Sequence, residues 1–112
     1  MKHFHRLIFL LIALLFCTLE MHAALPEKKI AVVIPSYNNA KWCQITLDSV
    51  FQQKYENFRV VFVNDASTDG MGELVQKYVK EKGWSKRFTY IENRKREGAL
   101  SNVYRGIWMC DP

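Results

Sequence analysis

Val60-Val61-Phe62-Val63-Asn64-Asp65-Ala66-Ser67-Thr68-Asp69-Gly70 passes from an unbroken apolar run to a cluster of small polar residues in a single step. Consecutive apolar residues without alternation mark a strand buried on both faces, as in a parallel sheet covered by helices above and below. The polar cluster that follows has the composition of a turn and a helix entry. The stretch therefore sets a carboxylate, Asp65, on the last rigid atoms of a buried strand, with hydroxyls opening beyond it.

Outward from this stretch the same two patterns recur. Ile30-Ala31-Val32-Val33-Ile34 is a second continuous apolar run, closed by Pro35, and Phe88-Thr89-Tyr90-Ile91 reads as another strand; the strand of the opening stretch starts at Phe58. Between Trp42 and Gln53, Cys43, Leu47, Val50 and Phe51 recur at helical spacing. Met71, Leu74, Val75, Tyr78 and Val79 fall on one face of a second helix, with Asp69 as its N-cap and Gly83 as its stop. Ala99, Leu100, Val103, Tyr104, Ile107 and Trp108 form one face of a third. The order β-α-β-α-β-α predicts an α/β fold: a Rossmann-like parallel sheet of about three β-α units joined by right-handed crossovers. Three strands are few for a sheet whose faces and edges both need cover. With Cys110-Asp111-Pro112 at the end of the chain, residues 28–112 read as the truncated N-terminal part of a larger fold.

Residues 1–25 stand apart. The apolar run from Leu7 to Cys17 follows Lys2 and Arg6, the layout of a secretory signal, and is shorter than the roughly 20 residues that span a bilayer. A cleaved signal, with cleavage after Ala23 or Ala24, and an uncleaved anchor that holds the membrane through residues 7–19 both remain open. Either places the protein in the secretory lumen or on its membrane. A start at Met21 instead leaves a cytoplasmic protein.

Hydrophobic residues are 49% and charged residues 24% of the chain, which excludes the disordered class. Cys43 and Cys110 stand alone, without zinc spacing, and read as structural thiols rather than a disulfide. Net charge is +5. The excess gathers at Lys80, Lys82, Lys86, Arg87, Arg94, Lys95 and Arg96, set against only Glu81 and Glu92. Such a patch suits phosphate in some form. Nucleic acid is set aside, because no aromatic residues are interleaved with these charges on a recognisable module.

Ligands of open α/β sheets bind beyond the carboxyl ends of the strands. That rule selects Pro35-Ser36-Tyr37-Asn38, Asn64-Asp65-Ala66-Ser67, and Glu92-Asn93 with the following Arg94-Lys95-Arg96-Glu97-Gly98. Together they supply an aromatic face, a carboxylate and a cationic loop, a set that suits a nucleotide. Neither the Gly-x-Gly-x-x-Gly fingerprint nor the P-loop is present.

Ile34-Pro35-Ser36-Tyr37-Asn38, Val63-Asn64-Asp65-Ala66-Ser67-Thr68-Asp69-Gly70, and Glu92-Asn93 with Gly98-Ala99-Leu100-Ser101-Asn102, in this order and each at a strand end, resemble the N-terminal half of family 2 glycosyltransferases. These are inverting enzymes of the GT-A fold. The resemblance runs from about Ile30 to Pro112. It implies a nucleotide-sugar donor, with a UDP-sugar expected, and an acceptor that stays unknown. It casts Asp65 as acceptor for the base N–H, Tyr37 as the ring beside the base, and Pro35 and Asn38 as the shape of that turn. Arg96 would face the diphosphate, with Arg94 and Lys95 as alternatives. Gly98 would let phosphate approach the next helix, and Asn102 would contact the donor unless it lies on the helix surface. Ser67, Thr68 and Asp69 read as turn and cap residues that position Asp65.

The departures are as informative. Many members carry two acidic residues where this chain has Asn64-Asp65, and the Asp-x-Asp motif for the divalent metal, Mg or Mn, does not occur in it. Neither does the half that would bring the catalytic base. The expectation is a donor-binding part of an inverting transferase, catalytically silent alone, with a non-catalytic nucleotide-binding or interaction module as the alternative.

Overall fold

The computed structural model describes residues 27–110, together with Met1. The expected apolar signal or anchor lies outside the described residues. Among those described, no helix is long and apolar enough to cross a membrane.

Three parallel strands, β1 (Ile30–Ser36), β2 (Phe58–Asn64) and β3 (Phe88–Glu92), lie side by side in that order. They alternate with α1 (Ala40–Phe51), α2 (Met71–Glu81) and α3 (Ala99–Trp108), and a single 3-10 turn (Ser85–Arg87) leads into β3. The α/β expectation is met element for element. β2, flanked on both sides, is buried at every position but Arg59, as its unbroken apolar sequence requires. β1 runs two residues past Ile34, through Pro35 to Ser36. Pro35, which has no N–H to give a ladder, is tolerated because β1 lies on the edge of the sheet among the described residues.

The faces divide by alternation. Val60 and Phe62 point to one side and pack with Cys43, Leu47 and Phe51 of α1 and Met71, Val75 and Val79 of α2. Val61 and Val63 point to the other side, also buried. There α3 crosses β1 so closely that a Cβ on Gly106 would stand 2.3 Å from Val33 Cγ1. The second helix on the first face ends where the sequence marks it. Gly83, at φ 74°, closes α2 as its N–H and that of Trp84 donate to Lys80 and Val79 carbonyls, at 3.2 and 3.0 Å. Trp84 then stacks flat on Phe51, ring centroids 4.2 Å apart. Cys43 is buried and Cys110 half-buried; both are free thiols, pushed up from their ordinary pKa by burial.

Candidate functional site

The sheet hands its ladder on to the loops. Asp65 N–H donates to the Ser36 carbonyl at 2.8 Å, and Asn93 N–H donates to the Asn64 carbonyl at 2.9 Å. The residues just past β2 and β3 thereby continue the hydrogen bonding of the sheet. A pocket of about 110 Å³ opens at these ends, lined by Pro35, Ser36, Tyr37, Asp65, Arg96, Gly98, Ala99 and Asn102.

Asp65 is 3% exposed and heavily bonded. Its Oδ1 accepts from Asn93 Nδ2 and from the Glu97 amide, both at 2.8 Å, and its Oδ2 accepts from the Gly98 amide at 2.9 Å. Burial alone would push this carboxyl up. The Glu97 amide, the Asn93 and Asn102 side chains and the Gly98 amide outweigh it and hold the group well below the usual carboxylate range. Asp65 is therefore an ionised, acceptor-only group at any physiological pH.

The Gly98 amide, expected to lie open to phosphate, is committed to Asp65 instead. Gly98 caps α3 at φ 89°, a backbone conformation that a side chain would strain, and this turn aims both amides at the carboxylate. Asn102 is not a surface residue: it is 1% exposed, and its Oδ1 accepts from Asn93 Nδ2 at 2.7 Å. Its Nδ2 lies near enough to Asp65 to favour the ionised form, yet no acceptor meets it at hydrogen-bonding geometry. Of the three cations offered by the third loop, Arg96 alone lines the pocket, its guanidinium 4.2 Å from the centroid of the Tyr37 ring. Arg94 borders a separate shallow depression with Ala66, Ser67, Glu92 and Asn93.

Asn38 is the sequence candidate that the pocket leaves out. At φ 45° it ties two loops together: its amide donates to Ser67 Oγ at 2.9 Å, and its Oδ1 accepts from the Thr68 amide at 2.8 Å. Asp69 extends this seam. It sits one residue before the N-cap of α2, which is Gly70 at φ 79°, a conformation that lets the Asp69 carboxylate reach forward to the Met71 amide at 3.2 Å. Its other oxygen accepts from the Ala40 amide at the start of α1, at 2.8 Å. Asn64, in place of a second acid, uses both ends of its amide, donating to Tyr90 Oη at 2.9 Å and accepting from the Ser67 amide at 3.1 Å.

One residue of the network, Arg105, escapes the sequence reading, and Asn93 stands in it only as part of the third strand-end segment, with no role of its own. Asn93 bridges Asp65 and Asn102, and Arg105 Nη1 donates to Asn93 Oδ1 at 2.8 Å. Asn93 had a visible signal, a polar residue directly after the third strand. Arg105, a helix arginine, had none. Among the described residues, no three His, Cys, Asp or Glu side chains gather to hold a metal ion.

Comparison with known proteins gives a consistent result. The profile of the family described as "Glycosyl transferase family 2" matches residues 31–111. An uncharacterized glycosyltransferase of Rickettsia bellii (strain RML369-C) is 39% identical over 83 residues, 74% of this chain and 11% of the relative. Glycosyltransferase GlyA of Streptococcus pneumoniae serotype 4 is 38% identical over 68 residues, 61% of this chain and 9% of the relative. The chain thus spans about a tenth of the length of these relatives. Among solved structures, the mannosyltransferase PcManGT from Pyrobaculum calidifontis, in complex with GDP-Man and Mn2+, superposes with a TM-score of 0.69 at 26% identity, covering 74% of this chain and 24% of that one.

Proposed function

Because this chain belongs to glycosyl transferase family 2, we propose that its pocket holds the nucleotide of a nucleotide-sugar donor, as the donor-binding part of an inverting transferase. The observation that carries this reading is the convergence of Tyr37, Asp65 and Arg96 on one pocket from three different strand ends. The Tyr37 ring offers a face for a base, Asp65 an acceptor for a base N–H, and Arg96 a cation for the diphosphate. Pro35 and Gly98 shape the two turns that bring these groups together. The neighbour's GDP-Man supports a nucleotide-sugar in general; a UDP-sugar is the donor proposed here.

In the whole enzyme, the acceptor hydroxyl attacks the anomeric carbon as the bond from that carbon to the diphosphate oxygen breaks, and the configuration inverts. A base takes the hydroxyl proton. The described residues bind and orient the donor, which contributes to rate by fixing the reacting geometry. A divalent ion, supported by the Mn2+ of the neighbour, would neutralise the diphosphate. The described residues provide no ligand set for it, and their contribution is derived without it. The 112-residue chain is proposed to bind nucleotide and to transfer no sugar by itself.

Calorimetric titration with UDP, GDP and the corresponding nucleotide-sugars, with and without Mn2+, tests the binding. A transfer assay with water or simple sugars as acceptor tests the silence. Robust turnover by this chain would overturn the second statement, and absence of heat with every nucleotide the first. An interaction module is the second reading. It is favoured by the apolar strip of Leu100, Tyr104, Ile107 and Trp108, which lies exposed along α3.

A further inference from the structure

The side-chain amides around Asp65 are fixed in orientation by neighbours that can play only one role. Arg105 Nη1 donates to Asn93 Oδ1, and since a guanidinium can only donate, the oxygen of Asn93 must face it. Asn93 Nδ2 therefore turns inward, and its two hydrogens go to Asp65 Oδ1 and Asn102 Oδ1. Flipping Asn102 would set one amino group against another, so its oxygen is committed too. What remains is Asn102 Nδ2. It is the only buried side-chain nitrogen or oxygen without a partner among the described residues, and it belongs to a side chain on the pocket wall. A donor kept dry and unpaired destabilises the ligand-free protein, and a ligand atom that accepts from it turns that loss into affinity.

Asp65 has complementary capacity left. Oδ1 accepts two hydrogen bonds and Oδ2 one, which leaves a single acceptor position on Oδ2. Asp65, Asn102 and Tyr37 all line the same pocket, so one unused acceptor position and one unused donor belong to side chains of a single wall. A planar ring bound beside Tyr37 satisfies both if it carries an N–H and a carbonyl in adjacent positions.

We propose that Asn102 reads the base, donating from Nδ2 to the ring carbonyl beside the N–H that Asp65 accepts, and that this pair selects uracil. The inference rests on the reading of the pocket as a nucleotide site and adds a specificity residue to it. Uracil has one ring N–H flanked by two carbonyls, so either orientation pairs both groups. Guanine brings an exocyclic amino group next to its ring N–H, a second donor against a carboxylate with one position left. Cytosine, in the pose of uracil, sets a ring lone pair against Asp65.

Side-chain amide NMR on the uniformly 15N-labelled chain tests this without mutation. UDP should move the Asn102 Nδ2 signals together with the Glu97 and Gly98 amides, and should bind more tightly than GDP or CDP. Replacing the paired carbonyl, in 2-thio-UDP or 4-thio-UDP, should weaken binding roughly threefold to tenfold. Asn102→Leu fills the site without a donor or a second carboxyl, so it should lose affinity for UDP and abolish the thio effect. If UDP moves the Glu97 and Gly98 amides and leaves Asn102 Nδ2 unmoved, the Asn102 assignment falls and the nucleotide site stands. GDP binding as tightly as UDP overturns the selectivity. If no nucleotide moves any of these signals, both readings fall together.

Discussion

The Arg96 guanidinium lies 4.2 Å from the centroid of the Tyr37 ring, bringing together side chains from the first and third strand ends. Neither strand pairs with the other; β2 stands between them. The cation over the aromatic face is thus the contact that closes the pocket across the middle strand, where Asp65 stands. An exposed pair of this kind contributes about 0.5–1 kcal/mol. Its larger consequence is positional: in the proposed donor site, a guanidinium already held against Tyr37 would meet the diphosphate without first having to be ordered.

Arg96→Ala is therefore expected to lower stability by no more than about 1 kcal/mol, the worth of an exposed cation–π pair, while lowering UDP affinity at least about tenfold. The salt dependence of binding should flatten in the variant, because a charge that contributes to it is gone. Arg96→Lys should recover part of the salt dependence and less of the affinity, as an ammonium restores charge without a planar face for Tyr37. Titration at two ionic strengths separates these outcomes.

Asp65 gives the chain an acid-labile element. Its folded-state pKa is depressed, so in acid the unfolded chain binds the proton more readily, and the stability Asp65 contributes is present above the ordinary carboxylate pKa of about 4. That contribution should be lost progressively as pH falls below about 4. Asp65→Asn sets an amino group against the Glu97 or Gly98 amide and should cost about 3 kcal/mol at neutral pH. The variant's stability should then fall less steeply than that of the wild type between about pH 5 and pH 2. Urea unfolding at several pH values reads both effects.

These two residues also show what can be read from the sequence and what cannot. Val60-Val61-Phe62-Val63 announces a central strand because nothing polar interrupts it, and the rule that ligands sit beyond strand ends brings Tyr37, Asp65 and Arg96 to one rim. Both signals are local or topological. The partners of Asp65 are neither. Asn93 and Arg105 act through contacts that depend on the turn at Gly98 and on how deeply α3 sits over β1, and polar residues of these types are otherwise ordinary surface. Asn38 illustrates the reverse: its motif is recognisable, but its bonds run to Ser67 and Thr68, some thirty residues on, and hold the scaffold rather than the pocket.

Asp69 should behave as a double cap. One carboxylate serves the first amides of α1 and α2, so Asp69→Ala removes an acceptor from both helices at once. The loss should be about 1–2 kcal/mol, in the range of an N-cap deletion, with Asn retaining part of it. Hydrogen exchange is the discriminating measurement. The Ala40 amide should exchange faster in Asp69→Ala although it lies 29 residues away in sequence, and if only Met71 responds, the bridge contributes nothing.

The seating of α3 on β1 is tested by its closest approach. Alanine at position 106 should stabilise a helix by roughly 0.5–1 kcal/mol on propensity alone. Its Cβ, however, would meet Val33 Cγ1 at 2.3 Å and Cγ2 at 3.1 Å, and overpacking of this kind costs about 1–3 kcal/mol. The steric term should win, leaving Gly106→Ala destabilised in wild-type background. In a Val33→Ala background both Cγ atoms are gone and only the Cβ at 3.3 Å remains, a gap that a shift of a few tenths of an ångström relieves. The same substitution should then become close to neutral or stabilising, a change that a double-mutant cycle resolves directly. Nucleotide affinity should follow the same pattern. A helix pushed off β1 carries Gly98 and Asn102 away from Asp65, and relieving the contact at Val33 lets them return, so binding lost in Gly106→Ala should be recovered in the double variant.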